Sequence, residues 1–170
     1  MTEAHPATSK QFRAEAIINK YLPWSMGAGL VPVPIADAAM VVGIQVKMLA
    51  EISHVYGVEF SENAGKAVIA SLIGGVGSTT VAAGTFGSVI KAIPGFGAVL
   101  GAATLPLIAG ATTYAIGKVF TQHFESGGTF LTFNSVEAKK VFDDKFAEGK
   151  SRVATLARAV DAKISKAVDF

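Results

Sequence analysis

The sequence predicts an all-α protein built around a central hydrophobic helical hairpin, at about residues 62–91 and 97–122, with amphipathic helices on both sides. The first observation is that charged residues make up only 16% of the 170-residue chain, whereas an average soluble domain has about 25%. The second is that Lys91 is the only charged residue between Lys66 and Lys118. As helices, the uncharged stretches of 24 and 26 residues around Lys91 are each long enough to cross the ~30 Å hydrocarbon core of a bilayer.

The junction between the two arms has the composition of a turn. Pro94 and Gly95 form a strong turn signal, and Lys91 places the one charge at the predicted tip of the hairpin. Another interpretation of the arms stays open, because Ser, Thr and Gly dilute their hydrophobicity. In that interpretation the hairpin is buried inside a soluble or oligomeric helical body.

Small residues recur four positions apart along both arms. These pairs are Ser71 and Gly75, Ala83 and Gly87, and Gly97 and Gly101. The spacing puts small side chains on one helix face, where two backbones can approach closely. We therefore expect helix packing or self-association through these faces, either between the arms or between copies of the chain.

The N-terminal flank is predicted to be a helix that runs to about Tyr21, with Phe12 in its apolar stripe, before Pro23 breaks it. Trp24 follows the break. This side chain suits either a membrane interface or ordinary core packing.

A second flanking helix is predicted from about Ile35, with Gly57 as the residue that ends it. Asp37 lies near its first turn, where a carboxylate suits the helix dipole. Towards the end of this helix, one face is polar and the opposite face is apolar. The polar face is formed by Lys47, Glu51 and His54, and the apolar face by Val46, Leu49, Ile52 and Val55.

The C-terminal region is predicted to be helical from an N-cap at Asn134, with Glu137 three residues later. Gly149 interrupts the pattern, and residues 151–168 again have apolar side chains at helical spacing. The two segments either pack as a small domain or continue as one longer helix.

Several short motifs occur in order along the chain. They are Gly29–Asp37, Gln45, Ile93–Gly97, Thr113–Gly117 and Phe124–Gly127. In their order and spacing, the residues from about Ala16 to Gly128 resemble the YcjF-like family, which comprises small, largely helical bacterial membrane-associated domains of unknown function that are often linked to GTPases.

This resemblance implies membrane association, and a GTPase partner in trans because the family's domain commonly follows a GTPase domain in one chain. It makes Pro32, Pro34 and Asp37 structural signature positions, together with Pro94 and Gly95, and it brings no catalytic residues. The chain is thus divided into a polar N-terminal segment (1–15), a YcjF-like membrane-associated helical domain (16–128) and a C-terminal amphipathic region (129–170).

No enzymatic, cofactor-binding or metal-binding pattern is found in the sequence. The chain has no cysteine. Gly74–Thr79 lacks the lysine that a phosphate-binding loop requires, and Gly95–Gly101 is one residue too long for a dinucleotide fingerprint. The three histidines, His5, His54 and His123, have no ligand spacing. The net charge of +2 gives no reason to expect a nucleic-acid partner.

We therefore expect a non-enzymatic structural protein that inserts its hairpin into a bacterial membrane, self-associates, and organises or curves that membrane. Its expected partners are membrane lipid and other copies of the chain. Fourteen of the 15 lysines and arginines lie outside residues 67–117. By the positive-inside tendency, both termini should face the cytoplasm, at the inner membrane or at an internal membrane. The alternatives are an adaptor for a GTPase partner and an oligomeric pore or transport element.

Overall fold

The computed structural model describes residues 6–28, 34–77 and 98–168, which contain five α-helices and no strand. The helices are α1 (Pro6–Ala28), α2 (Pro34–Tyr56), α3 (Glu62–Gly77), α4 (Ala98–Glu125) and α5 (Ser135–Val168). The predicted all-α class is confirmed.

Side-chain contacts show that α1 and α2 are antiparallel. The ammonium group of Lys10 lies 5.8 Å from the ring centre of Tyr56, and that of Lys20 is 2.7 Å from a carboxylate oxygen of Glu51. After α2, the short loop 57–61 returns the chain as α3, which packs against α2 and α5. A loop this short between helices in contact makes α2 and α3 antiparallel as well.

The direction of α4 follows from its contacts with the helices on either side. It runs parallel to α2, because Gln45 contacts Thr113 near one end and Tyr56 contacts Glu125 near the other. It runs antiparallel to α1, because Gly110 adjoins Met26 and Gly117 adjoins Ile18. It runs antiparallel to α5 as well, because Gly110 adjoins Val153 and Tyr114 contacts Glu148. The five helices therefore alternate in direction.

α4 occupies the centre of the bundle. It packs against α1, α2 and α5, and every residue from 109 to 117 is buried. A helix that is apolar on all sides has to be covered on all sides. Here α1, α2 and α5 provide that cover.

Glycines allow the neighbouring helices to approach α4. A Cβ atom added at Gly117 would lie 2.6 Å from Cγ1 of Ile18 on α1. One added at Gly149 on α5 would lie 3.0 Å from the backbone oxygen of Ala111 on α4. Both crossings are too close for a side chain at the glycine position.

The predicted hairpin is not confirmed. α3 and α4 cover much of its two arms, but α3 packs mainly on α2 and α5. The rest of the first arm and the tip at Lys91, Pro94 and Gly95 lie outside the described residues. Across residues 6–28, 34–77 and 98–168, no helix has both the length and the apolar content that crossing a membrane requires.

α1 differs from its prediction in two ways. It continues through Pro23 to Ala28 instead of ending at Tyr21. The φ angle of proline is compatible with a helix. Leu22 and Ser25, on either side of Pro23, are buried, and this packing holds the helical turn that contains Pro23 in place. Phe12, predicted to lie in the apolar stripe, is 76% exposed, and Trp24 is 68% exposed, which excludes its core-packing interpretation.

The ends of two helices were predicted correctly. Gly57 has a φ of 73°, and the N–H of Val58 donates to the carbonyl of Ser53 at 2.9 Å. These are features of the glycine-terminated Schellman motif. At the start of α5, Oδ1 of Asn134 accepts a 3.0 Å hydrogen bond from the N–H of Val136, which confirms the N-cap.

The amphipathic pattern of α2 is also confirmed. Its four predicted apolar side chains near the C-terminal end, from Val46 to Val55, are buried, while Lys47 and His54 are exposed. The C-terminal region forms one helix rather than two. Gly149 lies inside that helix, at the position where α5 crosses α4. The glycine is explained by this close crossing and does not end the helix.

We expect Gly117→Ala to destabilise the protein, although alanine favours a helix over glycine by about 1 kcal/mol. Overpacking a filled core costs about 1–3 kcal/mol, and Ile18 has no solvent-exposed space into which to move. The net loss in the free energy of unfolding, from urea titration, should be about 1 kcal/mol. The matched control is Gly43→Ala, where an added Cβ meets nothing within 4 Å. That variant should be more stable than the parent, and equal effects of the two substitutions would contradict the packing at Gly117.

Candidate functional site at the uncharged end of the bundle

In α1 to α4, charged residues are concentrated toward one end of the bundle, whereas α5 carries charged residues along its whole length. At one end α1 and α3 terminate and α2 and α4 begin, and this uncharged end comprises residues 21–28, 34–46, 67–77 and 98–117. Asp37 is the only charged residue in these ranges. Because the helices alternate, the helix ends that border residues 29–33 and 78–97 all lie here.

Apolar side chains are exposed at the uncharged end. Trp24 on α1 is 68% exposed and Met40 on α2 is 46% exposed. α4 is less completely covered here, because residues 105–108 are all partly exposed whereas 109–117 are buried. Further exposed or partly exposed apolar residues at this end are Val41, Val42, Ile44, Ala67, Ala70, Leu105, Leu107 and Ile108.

The opposite end, the capped end, is formed by the loops 57–61 and 126–134. Each follows a helix that ends on a glycine of positive φ, Gly57 or Gly127. Between the loops, a cluster of aromatic rings closes the core: Phe60, Phe120, Phe124, Phe130 and Phe133. The ring centres of Phe120 and Phe133 are 4.6 Å apart. His123 belongs to this packing, since its Nε2 lies 2.9 Å from the backbone oxygen of Thr129.

Tyrosine–glutamate hydrogen bonds connect the helices along the side of the bundle. Each of the three tyrosine hydroxyls donates to a glutamate on a different helix: Tyr21 to Glu51, Tyr56 to Glu125 and Tyr114 to Glu148. Burial, with the neighbouring carboxylate, raises the pKa of Tyr21 to about 12. The same causes raise the pKa values of Tyr56 and Tyr114. The hydrogen bonds from Lys145 and Tyr114 hold the pKa of Glu148 below its usual value.

A surface groove of about 420 Å³ lies between α1 and α4, beside an ion-pair cluster. Its charged lining residues are already engaged within the protein. Glu15 accepts from Lys118 at 2.7 Å and lies 3.2 Å from Arg152, while Glu125 accepts from Tyr56. These groups hold helices together, so the groove is a weaker candidate site than the uncharged end.

Two residues from the resembling motifs meet in the core. Gln45 and Thr113 are both fully buried, and Nε2 of Gln45 donates to Oγ1 of Thr113 at 3.2 Å. Among the residues that the structure describes, Oε1 of Gln45 has no hydrogen-bond partner. The pair joins α2 to α4, which is a structural role. Within the described parts of the chain, no group of three or more acidic or histidine side chains could hold a metal ion.

The predicted packing and signature residues fall partly within the described ranges. Ser71 lies on the exposed face of α3 and donates to the carbonyl of Val68 at 2.8 Å. Gly75 lies in α3 and Gly101 in α4; Pro34 is the first residue of α2 and Asp37 is its fourth. The others lie outside the described residues: Pro32, Ala83, Gly87, Lys91, Pro94, Gly95 and Gly97.

The close contacts of α4 use glycines that the sequence analysis did not single out. Gly110 and Gly117 are seven residues apart, which places them near one face of the helix. A seven-residue glycine spacing was therefore an available signal. The partners of the three tyrosines lie 30 or more residues away in sequence and left no local pattern.

We expect the protein to lose stability as the pH rises above about 10, the ordinary pKa of tyrosine. Because the folded pKa of Tyr21 is about 12, the folded protein keeps this proton while the unfolded chain releases it. The resulting stabilisation is complete below the unfolded pKa and is lost as the pH rises through the folded one. Urea unfolding at a series of alkaline pH values measures the decline.

Tyr114→Phe tests the contribution of one pair. At neutral pH the variant should be about 1–2 kcal/mol less stable than the parent, because a buried hydrogen bond to a carboxylate is lost. Above pH 10 its stability should fall less steeply, since one fewer hydroxyl ionises. An unchanged slope would show that Tyr114 does not titrate abnormally.

Comparison with known proteins places the chain in a family. Residues 3–151 match the sequence profile described as Domain of unknown function (DUF697). The chain is also 43% identical, over 141 residues, to Magnetosome membrane protein 22 of Magnetospirillum gryphiswaldense; the match covers 83% of this chain and 72% of that protein. No solved structure matches the chain. The protein therefore belongs to the DUF697 family, whose function is unknown.

Proposed function

We propose that this protein is a non-enzymatic structural component of a bacterial membrane, with which it associates through the uncharged end of its bundle. The observation that carries the proposal is the distribution of charge along the bundle. Four of the five helices, α1 to α4, have ranges at one end whose only charged residue is Asp37, and the charged residues beside them belong to α5. The similarity to a protein named as a magnetosome membrane protein supports the same role.

Among the described residues, no catalytic arrangement is evident. This agrees with a structural role, but the proposal rests on the charge distribution. The polar groups that come together there, such as the tyrosine–glutamate pairs and the cluster around Glu15, link one helix to another. The resemblance to the YcjF-like family adds support for membrane association. In the proposed arrangement, the protein lies at an inner or internal membrane with both termini in the cytoplasm.

Self-association is the second part of the proposal. Copies would meet through small-residue faces, of which Ser71 on α3 belongs to the described residues and is exposed. Small residues permit close approach of helices where lipid removes the hydrophobic drive for association. An array of such copies, each inserted into one leaflet, would organise or bend the membrane.

Membrane association is tested by flotation. The full chain, expressed in bacteria, should rise with the membranes on a density gradient, and the fraction that resists an alkaline wash measures insertion. A chain that stays in the dense fractions before any wash would overturn the proposed function. A chain that floats but is removed by the wash would place it on the membrane surface without insertion.

Self-association is tested with Ser71→Arg in the floated fraction. A lysine-reactive cross-linker should give fewer dimers and larger species than with the parent, because a long charged side chain separates the faces. The control is Ser151→Arg, a change at an exposed position of α5. If both variants cross-link like the parent, the face containing Ser71 is not the contact.

A further inference from the structure

We propose that the uncharged end meets the bilayer end-on, with Trp24 at the boundary between lipid headgroups and acyl chains. This inference rests on the proposed membrane association and adds how the uncharged end meets the lipid and which residue lies at the boundary. The occupant of this surface is lipid rather than another protein.

Trp24 gives the most direct support. It is the only tryptophan in the chain and is 68% exposed, in the last turns of α1. An indole ring has a large apolar area and one N–H donor, so outside a protein core it is favoured at membrane interfaces and at protein interfaces. In water this ring is left largely uncovered by its own protein.

The surroundings of Trp24 extend the same surface. Met40 is 46% exposed at the start of α2. α4 is partly exposed at residues 105–108, and α3 exposes Ala67 and Ala70. Exposed apolar side chains gathered on several helices are a feature of interaction sites.

The sequence attached to this end favours lipid as the occupant. Residues 29–33 and 78–97, which join helix ends located here, contain Lys91 as their only charged residue. A protein interface normally has a polar rim around its apolar centre, whereas a bilayer core has no groups to pair with charges. α5 brings charges of both signs to this end, with Asp161 between Arg158 and Lys163, and the exposed Arg158 and Lys163 are suited to lipid phosphates.

The single tryptophan makes the experiment possible with the unmodified protein. The full chain is mixed with vesicles of phosphatidylcholine containing anionic phosphatidylglycerol, and tryptophan emission is recorded. The expected result is a shift to shorter wavelength, with emission lost when the lipids carry bromine atoms near the headgroup end of the acyl chains. Bromine near the chain ends should quench less.

The matched control moves the tryptophan to the other end of the bundle. Phe12, which is 76% exposed, lies near the start of α1 and hence towards the capped end. The double variant Trp24→Phe with Phe12→Trp should bind the same vesicles without a spectral shift or bromine quenching. Its helix content, from circular dichroism, should equal that of the parent, since both positions are exposed.

A second pair of variants tests binding instead of spectroscopy. Met40→Glu places a charge on the proposed lipid-facing surface and should reduce the floated fraction. Leu131→Glu makes the same kind of change at the capped end, where Leu131 is 94% exposed, and should float like the parent.

The outcomes separate the two proposals. Flotation without a shift of Trp24 emission, or with the shift moved to the Phe12→Trp position, would overturn the end-on contact while leaving membrane association standing. Absence of flotation would overturn both. Equal flotation of Met40→Glu and Leu131→Glu would also reject the uncharged end as the contact surface.

Discussion

Where α4 passes α1 at Gly117, the two helices lie so close that the α4 backbone contacts the side chain of Ile18 with no Cβ between them. The rest of the bundle depends on this thin central helix. Glycine, alanine and threonine make α4 narrow between residues 109 and 117, so α1, α2 and α5 can all pack against it. A helix whose side chains are mostly small and all uncharged can be surrounded on every side. Because residues 109–117 are covered on every side and buried from water, none of them is charged.

Specific polar contacts set the positions of helices that apolar packing alone would leave free to slide. Each tyrosine hydroxyl reaches a carboxylate on another helix, and Gln45 reaches Thr113 across the core. Such bonds contribute little net energy when made but cost more when one buried partner is left unmade. They therefore penalise alternative registers of the helices.

The sequence predicted local features better than the surroundings of each helix. Gly57 and Asn134 were recognisable because the terminating and capping geometries depend on neighbouring backbone groups. The uncharged character of α4 was equally visible. Lipid and packed protein both require an uncharged helix, so the sequence did not distinguish a membrane-inserted helix from one buried in the bundle. The sequence predicts a break at Pro23 and leaves one or two helices open around Gly149, because the helical positions of both residues depend on packing against distant residues. The exposure of Trp24 likewise depends on how far α1 extends past its neighbours, and the predicted packing faces in residues 78–97 lie outside the described structure.

The central position of α4 has a consequence for the order of events during synthesis. α1, α2 and α3 leave the ribosome before α4, the helix on which α1 and α2 pack. The contact between Ile18 and Gly117, for example, joins residues about a hundred positions apart in the sequence. Closing so long a loop carries an entropic cost before the contact is gained. Until then, the inner faces of the early helices are open apolar surfaces, of the kind that draws chaperones or aggregation in partly made chains. Folding of this protein is therefore completed late in translation: truncation before Gly117 would release a chain without a closed core, and a pause there would prolong exposure of the early helices.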